Sequence, residues 1–348
     1  MYRKGKAKRI ASITLAAVLL TATLFEGKVN VVAAESREQV SSTTGEAIVM
    51  TEAKSISAGD VSGGDISDGD TEKEDEKNIS GESVTSGISR GCAWTLDAEG
   101  NLVVRDSDGT YGTDNWGWKD YKDKIKTADV NISYADLRGM LEDCISLTSA
   151  KVKIDDAVGH GTEGFFSGCV SLSDIDISGL NTQNATNMDH MFYRCGKLKY
   201  ADIENFNTQN VTDMSYMFFR CESLKSIDIG ELNTQNVTNM SGMFGYCYNL
   251  FNIDVSGFCT QNTTNMSNMF RACHSLAKID VSGFNTQNVT DMSQMFEECF
   301  NLTEINVSNF DTANVTDMNS MFRYCERLIS LDLTKFDTHN VIYMHKMF

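Results

Sequence analysis

The stretch NTQNVTDMSYMF occupies residues 207–218, with near copies at 233–244 (NTQNVTNMSGMF) and 285–296 (NTQNVTDMSQMF). Aligned on the Met-Phe pair, residues 165–346 divide into seven copies of 26 residues without insertion. A divergent copy precedes them at 140–164, and Met347-Phe348 open another, so a remainder beyond the last residue is expected. A fixed period of this length marks stacked supersecondary units, none of which can bury its apolar face alone.

Each copy assigns its positions to tasks. LxxIDI has the spacing of a leucine-rich repeat: Leu224, Ile227 and Ile229 point inward from a short strand, while Ser226 and Asp228 point outward. VTDMSYMFFRC places Met214, Met217, Phe218 and Cys221 three or four apart, which predicts one short helix with Thr212 or Asp213 as its N-cap. Between them FNTQN is turn chemistry, with Thr208 and Asn210 set to hydrogen-bond exposed backbone. The predicted fold is an α/β, right-handed, leucine-rich-repeat-like solenoid with one short parallel strand and one short helix per coil.

Three columns bear on function. Cys144, Cys169, Cys195, Cys221, Cys247, Cys273, Cys299 and Cys325 recur at one position. Free cysteine is among the most buried residue types, so the column reads as small hydrophobes. Disulfides between turns are the alternative in an exported chain, and the spacing matches no zinc pattern. Asp176, Asp202, Asp228, Asp254, Asp280 and Asp332 form a second column, with Asn306 the exception. Stacked carboxylates repel, so the column reads as a solvated acidic face that blocks edge pairing. Divalent-cation bridging or recognition of a basic partner is the alternative. Beside it the outward position varies: Asp174, Tyr200, Ser226, Asn252, Lys278, Glu304, Ser330. A constant frame beside a variable column is how a repeat protein presents a binding surface. The candidate face is therefore Tyr200, Asp202, Ser226, Asp228, Asn252, Asp254, Lys278, Asp280 and Glu304.

Outside the repeats the chain changes character. The formal charge of −18 argues against nucleic acid and anionic membrane as partners. MYRKGKAKR, the apolar run IASITLAAVLLTATLF and the small residues ending at Ala34 have the layout of a signal peptide, 1–34, which implies export. No other stretch is long and apolar enough to cross a membrane. Residues 35–90, rich in Ser, Gly, Asp and Glu, predict a disordered acidic linker. In 91–139, GCAWTLDAEGNLVVRD alternates around Glu-Gly-Asn and predicts a hairpin within a β-rich N-terminal cap. Trp94, Trp116 and Trp118 all fall here, as core or as an aromatic sugar-binding patch. The solenoid then occupies 140–348. No nucleophile constellation or paired carboxylates in a unique setting stand out, and no His shares a motif with a Cys. An enzyme, a cofactor or a metal centre is therefore not expected.

The pattern MFxxCxxLxxIDxSxFNTxNVTDMSxMF over 140–348 resembles the BspA-like leucine-rich-repeat surface proteins of bacteria. GCAWTLDAEGNLVV is similar to the segment that often precedes such repeats. The resemblance implies a secreted or surface-exposed protein in adhesion or protein–protein interaction, with host matrix proteins or receptors as the expected partners. A passive stalk that presents another module is the alternative. Phe206 and Leu232 take the usual Asn/Cys ladder position, a departure that bears on coil shape.

Overall fold

Alternation in the first described residues builds a sheet. The computed structural model describes residues 85–157 and 161–348. β1 (Thr85–Ser89), β2 (Cys92–Leu96), β3 (Asn101–Asp106), β4 (Thr127–Ala135), β5 (Ser149–Ala157) and β6 (Asp174–Leu180) lie side by side in sequence order. The predicted signal peptide, 1–34, and most of the predicted linker lie outside the described residues. The linker's last residues correct its boundary: β1 runs through Thr85–Ser89 and pairs with β2.

β1, β2 and β3 are antiparallel, whereas β3 to β6 are parallel. The β2–β3 hairpin buries Cys92, Trp94, Leu96, Leu102 and Val104 on one face. Its turn is held by the Asp97 carboxylate, which accepts the Asn101 backbone and side-chain N–H groups, both at 2.8 Å. Gly100 closes the turn at φ 95°, and a Cβ there would stand 2.3 Å from the Lys124 carbonyl oxygen. Only glycine fits. Asn101 pairs in parallel with Thr127, so the first coil of the stack already lies within the predicted cap.

Beyond Leu180 the strands shrink to single bridges. Ser226 bridges Asn252 and Lys278 bridges Glu304 on the expected strand, while a second column runs unbroken from Gly161 through Asn187, Asp213, Asn239, Asn265, Asp291 and Asp317 to Tyr343. Leu224, Ile227 and Ile229 are nevertheless buried. The inward pattern is as read, but the extended backbone is brief.

The predicted helix is absent, and this corrects the fold class. Among the described residues the only helix is a 3-10 turn at Lys119–Tyr121. Residues 214–221 form successive β-turns instead: Met217, Phe219 and Cys221 donate to Met214, Tyr216 and Phe218, at 3.4, 3.1 and 3.0 Å. The intervening N–H groups of Met214, Tyr216, Phe218 and Arg220 donate to the next coil, at Asn239, Ser241, Met243 and Gly245. Tyr216 and Arg220 have φ of 55° and 59°, the left-handed position that a type II turn needs and an α-helix forbids. A helix would spend every N–H within its own segment. The turns spend half of them on the neighbour, and that welds coil to coil. The apolar spacing is the same in both cases, so Met214, Met217, Phe218 and Cys221 are fully buried.

The core is periodic along the stack. Phe166, Phe192, Phe218, Phe244, Phe270, Phe296 and Phe322 form a near-parallel pile with centroids 5.2–5.8 Å apart. That separation is the strand spacing of about 4.8 Å with a lateral offset, the arrangement that aromatic quadrupoles favour.

Candidate interaction surfaces

On the strand face the Asp column has a local explanation. The Asp228 carboxylate accepts the backbone N–H of Gly230 at 3.1 Å, and Asp254 and Asp280 accept those of Ser256 and Ser282 at 3.0 Å. These are Asx turns, which bend the chain away from the strand. Asn306 makes the same bond to Ser308 at 3.1 Å, which is why the one exception in the column is an asparagine. Hydroxyl and backbone donors at the second residue onward hold Asp176, Asp254, Asp280 and Asp332 below the usual carboxylate range. A backbone role fixes this column.

The variable column beside it is open. Tyr200 is 61% exposed, Asp202, Asp228, Asn252, Asp254, Lys278, Asp280 and Glu304 are exposed, and Ser226 is half-buried. Lys278 pairs with Glu304 one coil on. Among the described residues no group of three or more His, Cys, Asp or Glu side chains is placed to hold a metal ion.

Two columns named in the sequence serve the stack. Thr208 is buried; its hydroxyl donates to the Asn233 carbonyl at 3.0 Å and accepts the Asn233 N–H at 2.8 Å. The Asn210 amide donates back to the Gln183 carbonyl at 3.1 Å. The expected cap survives in altered form, since Asp213 accepts the Ser215 N–H at 2.8 Å but opens a turn. In the cysteine column, Cys195, Cys221, Cys247, Cys273 and Cys299 donate to the Phe carbonyls of the preceding coil at 3.2 Å. All the cysteines are free thiols. Burial pushes Cys144 and Cys325 up to about 12 and the thiols between them well above the ordinary range.

The tryptophans are core. Trp116 stacks on Trp118 at 5.0 Å, and Trp94 meets Trp118 edge-on at 6.0 Å. Trp118 donates its indole N–H to the Met140 carbonyl at 2.9 Å, and Trp116 donates to that of Arg138 at 3.2 Å. All three rings are at most 8% exposed, which leaves no open face for a sugar.

The turn face carries features that the sequence reading passed over. Tyr193 stacks on Phe219 at 5.5 Å, His190 on Tyr216 at 5.0 Å and Tyr248 on His274 at 4.6 Å. A cavity of about 530 Å³ opens at the N-terminal end of this strip, between Glu142 and Tyr193. The readable signal was glycine: Gly139, Gly164, Gly168 and Gly242 share the two positive-φ positions of the coil with His190, Arg194, Tyr216 and Arg220.

The family model described as "Mycoplasma protein of unknown function, DUF285" matches residues 160–279 and 264–348, together more than half of the chain. The chain belongs to this family. The DUF285 match begins after β5, so it takes in the Asp and Thr columns and all of the Cys column but Cys144, and leaves the tryptophan cluster outside. No curated protein matches the chain. Among solved structures, a leucine-rich repeat protein from Eubacterium ventriosum ATCC 27560 is 14% identical, with 76% of this chain and 94% of that chain covered and a TM-score of 0.30. Among the described residues no helix is long and apolar enough to cross a membrane.

Proposed function

We propose that this chain is an exported surface repeat protein that binds a protein partner through its outward strand columns. Parallel crossovers are right-handed in nearly all sheets, and we assign that hand to the solenoid. One observation supports the binding reading above the others. The Asp column is fixed by Asx turns, whereas the side chains of Tyr200, Ser226, Asn252, Lys278 and Glu304 beside it make no comparable bond to the backbone and change from one of these coils to the next. The constant column is the frame and the variable one carries the chemistry. The basic n-region, apolar run and small residues of 1–34 support export, and host matrix proteins or receptors are the partners to test first.

The test is binding of the purified chain to immobilised extracellular-matrix proteins and to epithelial cells. Changing Tyr200→Ser together with Lys278→Ser should weaken capture severalfold. Added salt should weaken it further, because exposed charges are screened beyond about 8 Å at physiological ionic strength. Full capture by the double variant would move the site off this face. No capture by the unaltered chain would favour a passive stalk.

A further inference from the structure

The cavity on the turn face lies outside the surface proposed above and has its own chemistry. Glu142, Ser167 and Tyr193 occupy the same position in three consecutive coils, since the Phe165-Phe166 and Met191-Phe192 pairs follow Met140-Leu141 at the coil period. Phe219 covers one face of the Tyr193 ring. The His190 ring of the same coil meets Tyr193 at 4.9 Å, tilted by 56°, and one coil back the small Ser167 side chain and the neighbouring Gly164 line the cavity. Two coil steps of about 4.8 Å separate the carboxylate layer from the ring layer, which leaves a slot one planar group thick.

The cavity is acidic. Glu142 has only Lys122, at 4.0 Å, as a cationic partner, and Glu163 accepts the Asn187 amide at 2.9 Å. Arg138 also lines the space, but Asp136 holds its guanidinium through the Nε at 3.0 Å. Asp189 is paired with His190 at 2.7 Å.

Further along, the same column and its neighbour, which supplies Tyr246 beside Gly245, show what fills such a slot. Arg271 stands where Ser167 stands; its guanidinium lies 5.2 Å from the Tyr246 ring centroid, and its Nε is 3.0 Å from the Glu297 carboxylate. The layers there run ring, guanidinium, carboxylate. At the cavity the carboxylate and the ring are both present in reverse order, and the middle layer is a serine. We propose that the slot between Glu142 and Tyr193 binds an arginine side chain of a basic protein partner. A guanidinium is planar enough to continue the stack and is weakly hydrated, whereas an ammonium is neither. The net charge of −18 draws basic partners toward the surface.

The test measures binding of the full chain to a labelled Ser-Gly-Arg-Gly-Ser peptide and to its citrulline and lysine counterparts. The arginine peptide should bind about tenfold more tightly than the citrulline peptide, the scale of a combined cation–π and ion-pair contact. Ser167→Arg supplies a tethered guanidinium and should abolish that preference, and Glu142→Gln should reduce it severalfold. Tyr193→Phe keeps the ring and should retain the preference, as should the strand-face pair Tyr200→Ser with Lys278→Ser. Equal binding of the arginine and citrulline peptides would overturn the proposal, and so would an undiminished preference in Ser167→Arg. If thermal unfolding shows that Ser167→Arg has lost its fold, Glu142→Gln decides, because that side chain is 48% exposed and dispensable for packing. The strand-face reading stands or falls on its own variants.

Discussion

Residues 85–180 and 181–348 hold themselves together by different means. In the first region nine-residue β4 and β5 pair through backbone ladders, and no Asx turn interrupts them. In the second, pairing falls to single bridges, and stacked side chains take over the work between coils. β6 is the transition. Its Asp176 accepts the Ser178 N–H at 3.2 Å, and there the register with β5 slips between Lys151 and Lys153. Where β5 has Lys151 at the corresponding position, the strand continues. The Asp176 bond coincides with the slip in register, although β6 still runs on to Leu180, and Asp129, at the same position in β4, is paired with Arg105 instead and leaves that strand unbroken.

This contrast can be broken at several points. The largest expected effect is kinetic: Cys247 and its column neighbours should alkylate on the order of a thousandfold more slowly than exposed Cys259 in the folded chain, since they react only through opening. Thiol labelling with mass spectrometry under native and denaturing conditions checks this. Disulfides between consecutive column members would defeat the buried-thiol reading. Next, Phe244→Ala deletes a ring from the middle of the pile and should cost about 3–5 kcal/mol in a denaturant titration. A loss under about 1 kcal/mol would mean that the pile does not carry the second region.

Thr234→Val probes the side-chain ladder directly. The Thr234 hydroxyl serves both the N–H and the carbonyl of Cys259, at 2.8 and 3.2 Å. Its loss strands two backbone groups and should cost about 1–3 kcal/mol, while Thr234→Ser should recover most of that. Ser320→Gly tests turn against helix by sign. At φ 55° glycine removes left-handed strain and should stabilise by about 0.5–1 kcal/mol, whereas in a helix the same change would destabilise.

The smallest effect is that of acid. Asp254 is held below its unfolded value, chiefly by the Ser256 hydroxyl, so its contribution is present above the unfolded carboxylate pKa. It is lost as pH falls through the lower, folded pKa. Asp254→Asn should keep the turn, as Asn306 does, and slightly flatten the acid limb of a stability–pH curve. An unchanged limb would mean that the bond contributes no charge-dependent stability.

The sequence by itself determined the period, the inward positions and the hairpin. These depend on which side chains are apolar and how far apart they lie, and the 26-residue template states that repeatedly. It also marked the cysteine column as small buried side chains, and the aspartate column without the Asx turns that it makes. Only the tertiary structure decided between helix and turns, because Met214, Met217, Phe218 and Cys221 bury the same face in either conformation. The choice lay in where the alternate N–H groups found their partners, and those partners sit one coil away. The recurring glycines at 139, 164, 168 and 242 were the single local hint. The slot beside Tyr193 was likewise illegible, since Glu142, Ser167 and Tyr193 are separated by a full coil each and meet only when the coils are stacked.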